Sequence, residues 1–238
     1  MENQTLFDPA KFFDRDRAVS YDQRIRKAIP GYEDLHSMGA TFLQLHLPQE
    51  ARILVVGAGT GAEILSLSAA SPQWQLTGVD PAADMIAIAR AAVGANNLSD
   101  RVQLHIGFTH ELPASETYDA ATLMLVMHFV ADDGEKLQLL QSITQRLKPG
   151  ALLILADIYG DKTSAQFAHL MAAWKHRMLA RQVPPEKVEE QFQFIMSELN
   201  VVPEPRIVEL LQEAGFQAVE RFYTALMYGG WVARFQVS

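Results

Sequence analysis

Short apolar runs without polar alternation recur along the first two thirds of this chain. They are rich in Val, Ile, Leu and Ala, which is typical of parallel strands whose two faces are both buried. Between these runs, apolar residues recur every three or four positions, as on one face of a helix. Strands that alternate with helices predict a mainly parallel sheet covered by helices on both faces. The five strands predicted in this way lie at 53–56, 75–79, 102–106, 118–126 and 151–156.

Helical patterns without strands lie at both sides of this core. Residues 1–50 predict a helical segment that is broken at Pro30 and resumes at Tyr32. It serves either as an N-terminal lid over a pocket or as a cover for a sheet edge. Residues 160–202 predict a helical insertion with two apolar stripes. We expect the insertion to cap the pocket or to form a homodimer contact, because unpaired stripes would leave an exposed patch.

The end of the chain predicts two further strands. They lie at 218–226 and 231–237, and the segment 227–230, which contains two glycines, predicts the turn of a hairpin between them. The predicted fold class is therefore α/β, a Rossmann-like, mainly parallel seven-stranded sheet with an antiparallel terminal hairpin and a helical insertion. No repeat or linker divides the sequence, so we predict a single domain over 1–238.

Three glycines follow the first predicted strand directly. The segment RILVVGAGTGAEI places Gly57, Gly59 and Gly61 between an apolar run and a helical pattern. Glycine permits a tight turn and removes the Cβ atoms that would block a ligand, while the first N–H groups of the helix point back at that ligand. This arrangement predicts a nucleotide-cofactor site. A glycine turn without a ligand is the alternative, and the same glycines also fit the dinucleotide fingerprint.

An acidic residue stands at the end of the second predicted strand. Asp80 follows the glycines by about 20 positions, and Pro81 opens the next predicted helix. A carboxylate at this place can accept hydrogen bonds from the hydroxyls of a ribose. An Asp before a helix can instead act only as an N-cap. The preceding glycines favour the ribose function.

Composition narrows the kinds of partner and chemistry. The 238 residues carry a formal net charge of −8, which argues against a broad nucleic-acid or membrane surface, because such surfaces need clustered Lys and Arg. The chain has no cysteine and its seven histidines show no compact metal spacing, so no disulfide, thiolate site or metal is predicted. No apolar run is long enough for a bilayer and no signal-peptide pattern occurs, so we expect a cytoplasmic protein.

Three segments, GAGTG, GVDPAADMIAIAR and RLKPGALLILAD, occur in the order and spacing of the class I S-adenosylmethionine-dependent methyltransferases. The chain resembles this family over its whole length, and the terminal hairpin and LKPG favour S-adenosylmethionine over NAD. Within the family it is similar in particular to the carboxy-S-adenosylmethionine synthases and their methyltransferase relatives, through IPGYEDLHSM, the insertion and AGFQAVERFYTALMYGGWVA. The cofactor residues that the resemblance implies are Gly57, Ala58 and Gly59 at the methionine portion, Asp80 and Pro81 at the ribose, Phe108 and Thr109 at the adenine, Met124 at the end of the fourth strand, and Tyr32 closing over the methionine end.

The sequence departs from the family's pattern at three positions. Phe108 stands where the family often has an Asp that binds the adenine amino group. Val55 replaces an acidic residue that often lies near the amino group of the cofactor. An ungapped alignment back from Gly215 puts Phe192 at the site of the arginine that binds the extra carboxylate in the synthases, and a phenyl ring cannot form that pair.

These observations indicate an S-adenosylmethionine-dependent methyltransferase that acts on a small molecule. Methyl transfer from a sulfonium needs chiefly alignment, so a catalytic group need not be recognisable. His128, just past the fourth strand, is the candidate base, and a partly buried structural histidine is the simpler interpretation. The alternatives are a carboxy-S-adenosylmethionine synthase of tRNA wobble-uridine modification and a non-catalytic cofactor-binding subunit.

Overall fold

A computed structural model describes residues 8–113, 115 and 117–236. Residues 1–7 of the predicted lid and Val237 of the last predicted strand lie outside these residues. The strands are β1 Arg52–Val56, β2 Gln75–Asp80, β3 Val102–Ile106, β4 Tyr118–Met124, β5 Leu147–Ile158, β6 Phe216–Ala225 and β7 Tyr228–Phe235. They form one sheet in the order β3-β2-β1-β4-β5-β7-β6, in which β1 to β5 are parallel and β7 runs antiparallel to both of its neighbours. The predicted fold class is confirmed.

Nine α-helices are present in the described part of the chain. They are α1 Pro9–Phe12, α2 Arg15–Ala28, α3 Tyr32–His46, α4 Ala62–Ala70, α5 Ala83–Ala95, α6 Glu135–Thr144, α7 Ala165–Ala180, α8 Pro185–Ser197 and α9 Glu204–Glu213. Ile53 and Val55 of β1 belong to the core that α3, α4 and α5 cover, while Leu54 and Val56 belong to the core under α6 and α9. Because successive residues of a strand point to opposite faces, a strand between two helix layers must be apolar throughout.

The terminal hairpin turns earlier than the sequence predicted. The turn consists of Leu226 and Met227, and Leu226 has φ of 57°, while Gly229 and Gly230 lie inside β7. A Cβ atom on Gly229 would lie 2.4 Å from a ring carbon of Trp231, and one on Gly230 would lie 2.9 Å from the Phe222 ring. The two glycines therefore serve close packing of side chains around the strand, and the prediction that they form the turn is wrong.

Two predicted strand boundaries also shift, one at each edge of the sheet. β4 ends at Met124, two residues before the predicted end, because Leu125 adopts a left-handed backbone with φ of 61°. A bulky residue in that region is an outlier that usually marks a functional or strained turn. β5 begins at Leu147, since Tyr118 already pairs with it. α6 begins at Glu135, because Gly134 with φ of 116° forms its N-cap.

The N-terminal helices and the insertion pack on each other beside the sheet. The indole N–H of Trp174 on α7 donates to the carbonyl oxygen of Ala28 at 2.9 Å, and Arg181 donates to the carbonyl oxygen of Arg26 at 3.3 Å. The apolar stripe of α7 is buried within the chain, through Phe167, Met171, Trp174 and Met178, each at most 2% exposed. This stripe therefore needs no second copy of the chain to cover it, and the homodimer stays a prediction. Within the described residues, no helix combines the length and the apolar character that crossing a membrane requires.

Candidate functional site

The glycine loop, residues 57–61, connects β1 to α4 at the carboxyl edge of the sheet. The N–H groups of Gly57 and Ala58 both donate to the carbonyl oxygen of Val79, at 2.8 and 3.1 Å, which ties the loop to the end of β2. Gly57 has φ of 75°, and a Cβ atom on it would lie 2.2 Å from a methyl carbon of Val126. Gly59 has more room, since its nearest neighbour is Met85 at 3.6 Å. The loop can thus present its backbone to a ligand, as predicted for a cofactor cradle.

Asp80 lies next to this loop with both carboxyl oxygens bonded to backbone. Its Oδ2 accepts from the N–H of Gly59 and its Oδ1 from the N–H of Ala82, each at 2.9 Å. Burial raises the pKa of this carboxyl, and the two N–H donors oppose the increase. The N-cap residue of α5 is Ala82 and not Asp80, so the simple N-cap alternative does not describe the geometry. Each oxygen keeps a second lone pair, so ribose hydroxyls can still bind here.

The predicted adenine residues lie beside the end of β3. Phe108 is 50% exposed and its ring stacks on His110, whereas Thr109 is buried and its carbonyl oxygen accepts from Arg146. The N–H of Phe108 donates to Glu111 at 2.6 Å, so a carboxylate reaches this place from three residues further on. The exposed ring of Phe108 suits stacking on a base, while Thr109 faces the protein. Both assignments stay predictions.

The N-terminal helices cover the glycine loop. Thr60 donates its hydroxyl to Asp22 on α2 at 2.5 Å, and Ala18 of the same helix packs with Ala82 and Met85. Tyr32, at the start of α3, is 5% exposed, and burial raises its pKa, with smaller contributions from Tyr21, Asp22 and Glu63. These contacts place α2 beside the glycine loop, and the lid with Tyr32 over a cofactor stays a prediction.

Two further residues lie on the α3 side of the sheet. Met124, predicted at the cofactor, is 7% exposed. Its terminal methyl lies so close to α3 that a Cβ atom added to Gly39 would be 3.0 Å from it. Glu63, in the first turn of α4, is 6% exposed and was not predicted as a site residue. Its Oε1 is fully buried and has no hydrogen-bond partner in the described part of the chain. Pro81, between Asp80 and the N-cap of α5, is half-buried. A glycine cradle with a buried Asp and an unpaired carboxyl fits a nucleoside cofactor that carries a cationic group.

A cavity of about 920 Å³ lies between the N-terminal helices, the insertion and the ends of the strands. We call it the interhelical cavity. Rings of Phe12, Phe13, Phe129 and Phe194 line part of it and contact one another, with Phe12 stacked on Phe194 at 4.8 Å between centroids. Tyr21, Trp174 and Tyr228 also line it. The cavity is thus an aromatic-walled space suited to a small molecule.

His128 lies at the wall of the interhelical cavity. It is 7% exposed, and its Nδ1 is hydrogen-bonded to Oδ1 of Asp157 at the carboxyl end of β5. Lys136 donates to the carbonyl oxygens of Met127 and Val130, at 2.6 and 2.8 Å, and so holds both ends of the turn that carries the histidine. Nε2 of His128 has no hydrogen-bond partner among the described residues, and this atom is not fully buried. This nitrogen therefore opens on the cavity.

Asp157 was missed in the sequence, although its place after the apolar run of β5 is a signal for a residue at the carboxyl edge. Nδ1 donates to the Asp157 carboxylate, so Nε2 carries the lone pair that a general base needs. Among the described residues, no group of three or more His, Asp or Glu side chains could hold a metal ion.

Phe192, which the alignment puts at the position of the carboxylate-binding arginine, does not line the interhelical cavity. The Phe192 ring is half-buried on α8, and Nζ of Lys175 on α7 lies 4.3 Å from its centroid. Arg177 and Arg181 do not line the cavity either, whereas Arg17, Arg24, Lys27 and Lys187 do. Arg24 donates to the carbonyl oxygen of Arg17 at 2.9 Å, and its Nε is buried without a partner. Cations are therefore present at the cavity, but at other positions than the alignment suggested.

Residues 53–150 match a family described as a methyltransferase domain. The chain is 22% identical over 227 residues to the carboxy-S-adenosyl-L-methionine synthase of Campylobacter hominis, which covers 93% of both chains. It is 31% identical over 159 residues to the demethylmenaquinone methyltransferase of Lactiplantibacillus plantarum, which covers 66% of this chain and 65% of that protein.

The fold is similar to that of human N-acetylserotonin methyltransferase in complex with S-adenosylmethionine. The TM-score is 0.67 at 17% identity, over 100% of this chain and 61% of that one. At this identity the likeness shows the fold alone. The chain spans less than two thirds of this methyltransferase and of the demethylmenaquinone methyltransferase, but nearly the full length of the synthase.

Proposed function

We propose that this chain, which belongs to the class I S-adenosylmethionine-dependent methyltransferases, methylates a hydroxyl group of a small, largely apolar molecule bound in the interhelical cavity. The observation that carries the proposal is the His128–Asp157 pair, because its free Nε2 opens on a cavity walled by aromatic rings. A base is needed only for an acceptor whose proton is held tightly at neutral pH, such as an alcohol or a phenol.

The residues of the chain divide the chemistry between two places. Asp80 and the backbone of the glycine loop would hold the nucleoside part of S-adenosylmethionine, which supplies an electrophilic methyl group when bound. His128 takes the proton that the acceptor hydroxyl loses, and Asp157 stabilises the resulting imidazolium while keeping the ring oriented. The helices around the cavity exclude water and align the acceptor, which is the main requirement of methyl transfer.

The charged residues at the cavity suggest an acceptor with an anionic substituent. Four cationic side chains line the cavity against two carboxylates, Asp16 and Glu190. Burial lowers the pKa of Arg24, the cation with an unpaired buried nitrogen. Phenols or alcohols that carry a carboxylate are therefore the acceptors to examine first.

The test is to incubate the purified protein with S-adenosylmethionine and matched pairs of aromatic acids, with and without a free hydroxyl. Mass spectrometry should show one added methylene on the hydroxylated member only, together with S-adenosylhomocysteine. His128→Gln should lose most of this product while it binds S-adenosylhomocysteine normally. Equal turnover by wild type and His128→Gln, or turnover of the aromatic acids without a free hydroxyl, would contradict the proposed chemistry.

Carboxy-S-adenosylmethionine synthesis is the second candidate, because relatives with that name align over nearly the whole chain. Arg24 favours it as well, since a carboxylate in a closed cavity needs a cation and Nε of Arg24 is buried without a partner. Phe192 opposes it, because a phenyl ring stands at the position aligned with the arginine that binds the extra carboxylate. Incubation with S-adenosylmethionine and prephenate, the carboxyl donor that the family resemblance implies, separates the two reactions. A cofactor heavier by one carboxylate supports the synthase, and an unchanged cofactor removes this candidate.

The lid, the single domain and the homodimer also stay proposals. Contacts of α2 with the glycine loop and with α7 support a lid. Native mass spectrometry of the protein as purified would report the assembly size and any retained cofactor species together. A monomer at all concentrations would remove the homodimer.

A further inference from the structure

We infer that Glu63 is a cofactor-binding residue whose carboxylate accepts the α-ammonium group of S-adenosylmethionine. The inference rests on the proposed methyltransferase function, because it assumes this cofactor at the glycine loop. It goes further by assigning the residue that recognises the charged amino-acid end of the ligand.

The position of Glu63 follows from the glycine loop. Gly61 forms the N-cap of α4 with φ of 88°, and Glu63 is the second residue of that helix. Its side chain is buried, and Thr122 of β4 lies beside the carboxyl. Thr122 pairs with Val55 in the register of β1 and β4, so the carboxyl stands over the end of β1 where the loop begins.

Two polar atoms at this carboxyl are buried without a well-formed hydrogen bond in the described part of the chain. Oε1 of Glu63 and Oγ1 of Thr122 are both fully buried and unpaired by geometry, although the Thr122 hydroxyl is close enough to lower the pKa of the carboxyl. Buried polar groups are normally paired, so a buried carboxyl oxygen without a well-formed hydrogen bond beside the glycine loop points to a missing ligand.

The missing group is cationic. When it is ionised, Glu63 has hydrogen-bond acceptors and no donor, and no Lys or Arg of the described residues forms an ion pair with it. Its second oxygen, Oε2, has no hydrogen bond among the described residues. Unlike Oε1 it is not fully buried, so a ligand can reach it. A primary ammonium supplies both the charge and the N–H donors that such a carboxylate requires.

Calorimetry with two ligands tests this assignment. S-adenosylhomocysteine carries the ammonium group, whereas 5′-methylthioadenosine keeps the adenine, ribose and sulfur without the amino-acid end. Glu63→Gln should weaken S-adenosylhomocysteine roughly tenfold to a hundredfold, as expected for a hydrogen bond to a charged group, and leave 5′-methylthioadenosine unchanged. Glu50→Gln is the matched control, because Glu50 is exposed and precedes β1 at the opposite edge of the sheet.

Wild-type protein supplies an independent measurement in case the variant does not fold. Burial raises the pKa of Glu63 to about 7. Affinity for S-adenosylhomocysteine should therefore fall as the pH drops below 7. Affinity for 5′-methylthioadenosine should not show this fall, because that ligand has no ammonium group to pair with Glu63. Tyr32, whose pKa Glu63 helps to raise, stays neutral at these pH values, and His36 beside Tyr32 stays neutral because its pKa is about 4. Asp80 and Asp22 affect both ligands through the ribose and the loop.

The outcomes separate the two proposals. Unchanged affinity of Glu63→Gln for S-adenosylhomocysteine, or equal loss of both ligands, would overturn the role of Glu63 and leave the methyltransferase proposal standing. If wild-type protein bound neither ligand, the cofactor assignment itself would fail. Selective loss of S-adenosylhomocysteine supports the inference.

Discussion

The glycine loop and the interhelical cavity lie at the same edge of the sheet. Residues close together in the sequence form the loop, whereas residues far apart in the sequence form the cavity. The loop, Asp80 and the start of α4 fall within 25 residues of one another, and backbone groups make their main contacts. The cavity joins Phe12, His128, Trp174 and Tyr228, which come from four separate elements or turns, and its contacts are made by side chains. The part built from backbone can be recognised from a short motif, whereas the part built from side chains depends on how distant segments pack.

The largest expected effect lies at the cavity. His128→Gln should lower the rate of methyl transfer by roughly a hundredfold to ten-thousandfold, because it removes the base. Asp157→Asn should show a loss of the same kind, since the amide no longer favours the tautomer with a free lone pair on Nε2. Single-turnover kinetics measure the loss, and calorimetry should show unchanged cofactor affinity in both variants. Weaker cofactor binding in His128→Gln would mean that the two regions are not separate.

At the loop, backbone conformation should decide stability. Gly57→Ala combines a left-handed φ with a contact of 2.2 Å to Val126, so we expect a loss of roughly 2–5 kcal/mol in the free energy of unfolding. Gly94→Ala in α5 is the control, because a Cβ atom there meets nothing within 4 Å. It should stabilise the helix by about 0.5–1 kcal/mol. Denaturant unfolding measures both changes, and a neutral Gly57→Ala would contradict the close approach.

Glu63 links the stability of the loop region to pH. The folded-state pKa of about 7 exceeds the ordinary value of 4.5, so the folded state holds its proton more tightly than the unfolded state. The contribution of Glu63 to stability without cofactor should therefore be fully present below pH 4.5 and be lost as the pH rises through 7, by about 3 kcal/mol. Glu63→Gln should remove this fall and be the more stable protein at pH 8. Thermal unfolding at several pH values measures it, and parallel curves for both proteins would refute the assignment.

Asp80 should affect cofactor binding more than catalysis. Asp80→Ala removes the acceptor for the ribose and frees the N–H groups of Gly59 and Ala82, so we expect cofactor affinity to weaken by roughly 1.5–3 kcal/mol. Asp84→Ala, on the first turn of α5 and exposed, is the matched control. Calorimetric titration with S-adenosylhomocysteine gives the numbers. An unaffected affinity would show that Asp80 serves the loop alone.

The smallest expected effect concerns the connection between the two helical segments over the cavity. Trp174→Phe keeps most of the buried ring but leaves the carbonyl oxygen of Ala28 without its donor, so we expect a loss of about 1–2 kcal/mol in stability. Hydrogen exchange should then increase in α2 more than in the strands. An equal rise of hydrogen exchange in β1 would mean that α2 does not open independently of the sheet.

The chain by itself determined the sheet, its order of strand and helix, and the position of the glycine loop and Asp80. These features follow from patterns within short segments: apolar runs at 53–56 and 151–156, a strand that ends in glycines, and an acid at the end of the next strand. Local sequence suffices because neighbouring backbone groups make the contacts. The residues of the loop itself carry the whole signal.

Only the tertiary structure decided which side chains meet. Asp157 reaches His128 because β4 and β5 are neighbours in the sheet, and Glu63 finds no cation because α3 and β4 enclose it with neutral groups. Gly229 and Gly230 resemble a turn in sequence, yet the rings of Trp231 and Phe222 assign them to a strand. Such contacts join residues that are far apart in the chain or on separate elements, so their energies do not appear in any local pattern of hydrophobic and polar positions.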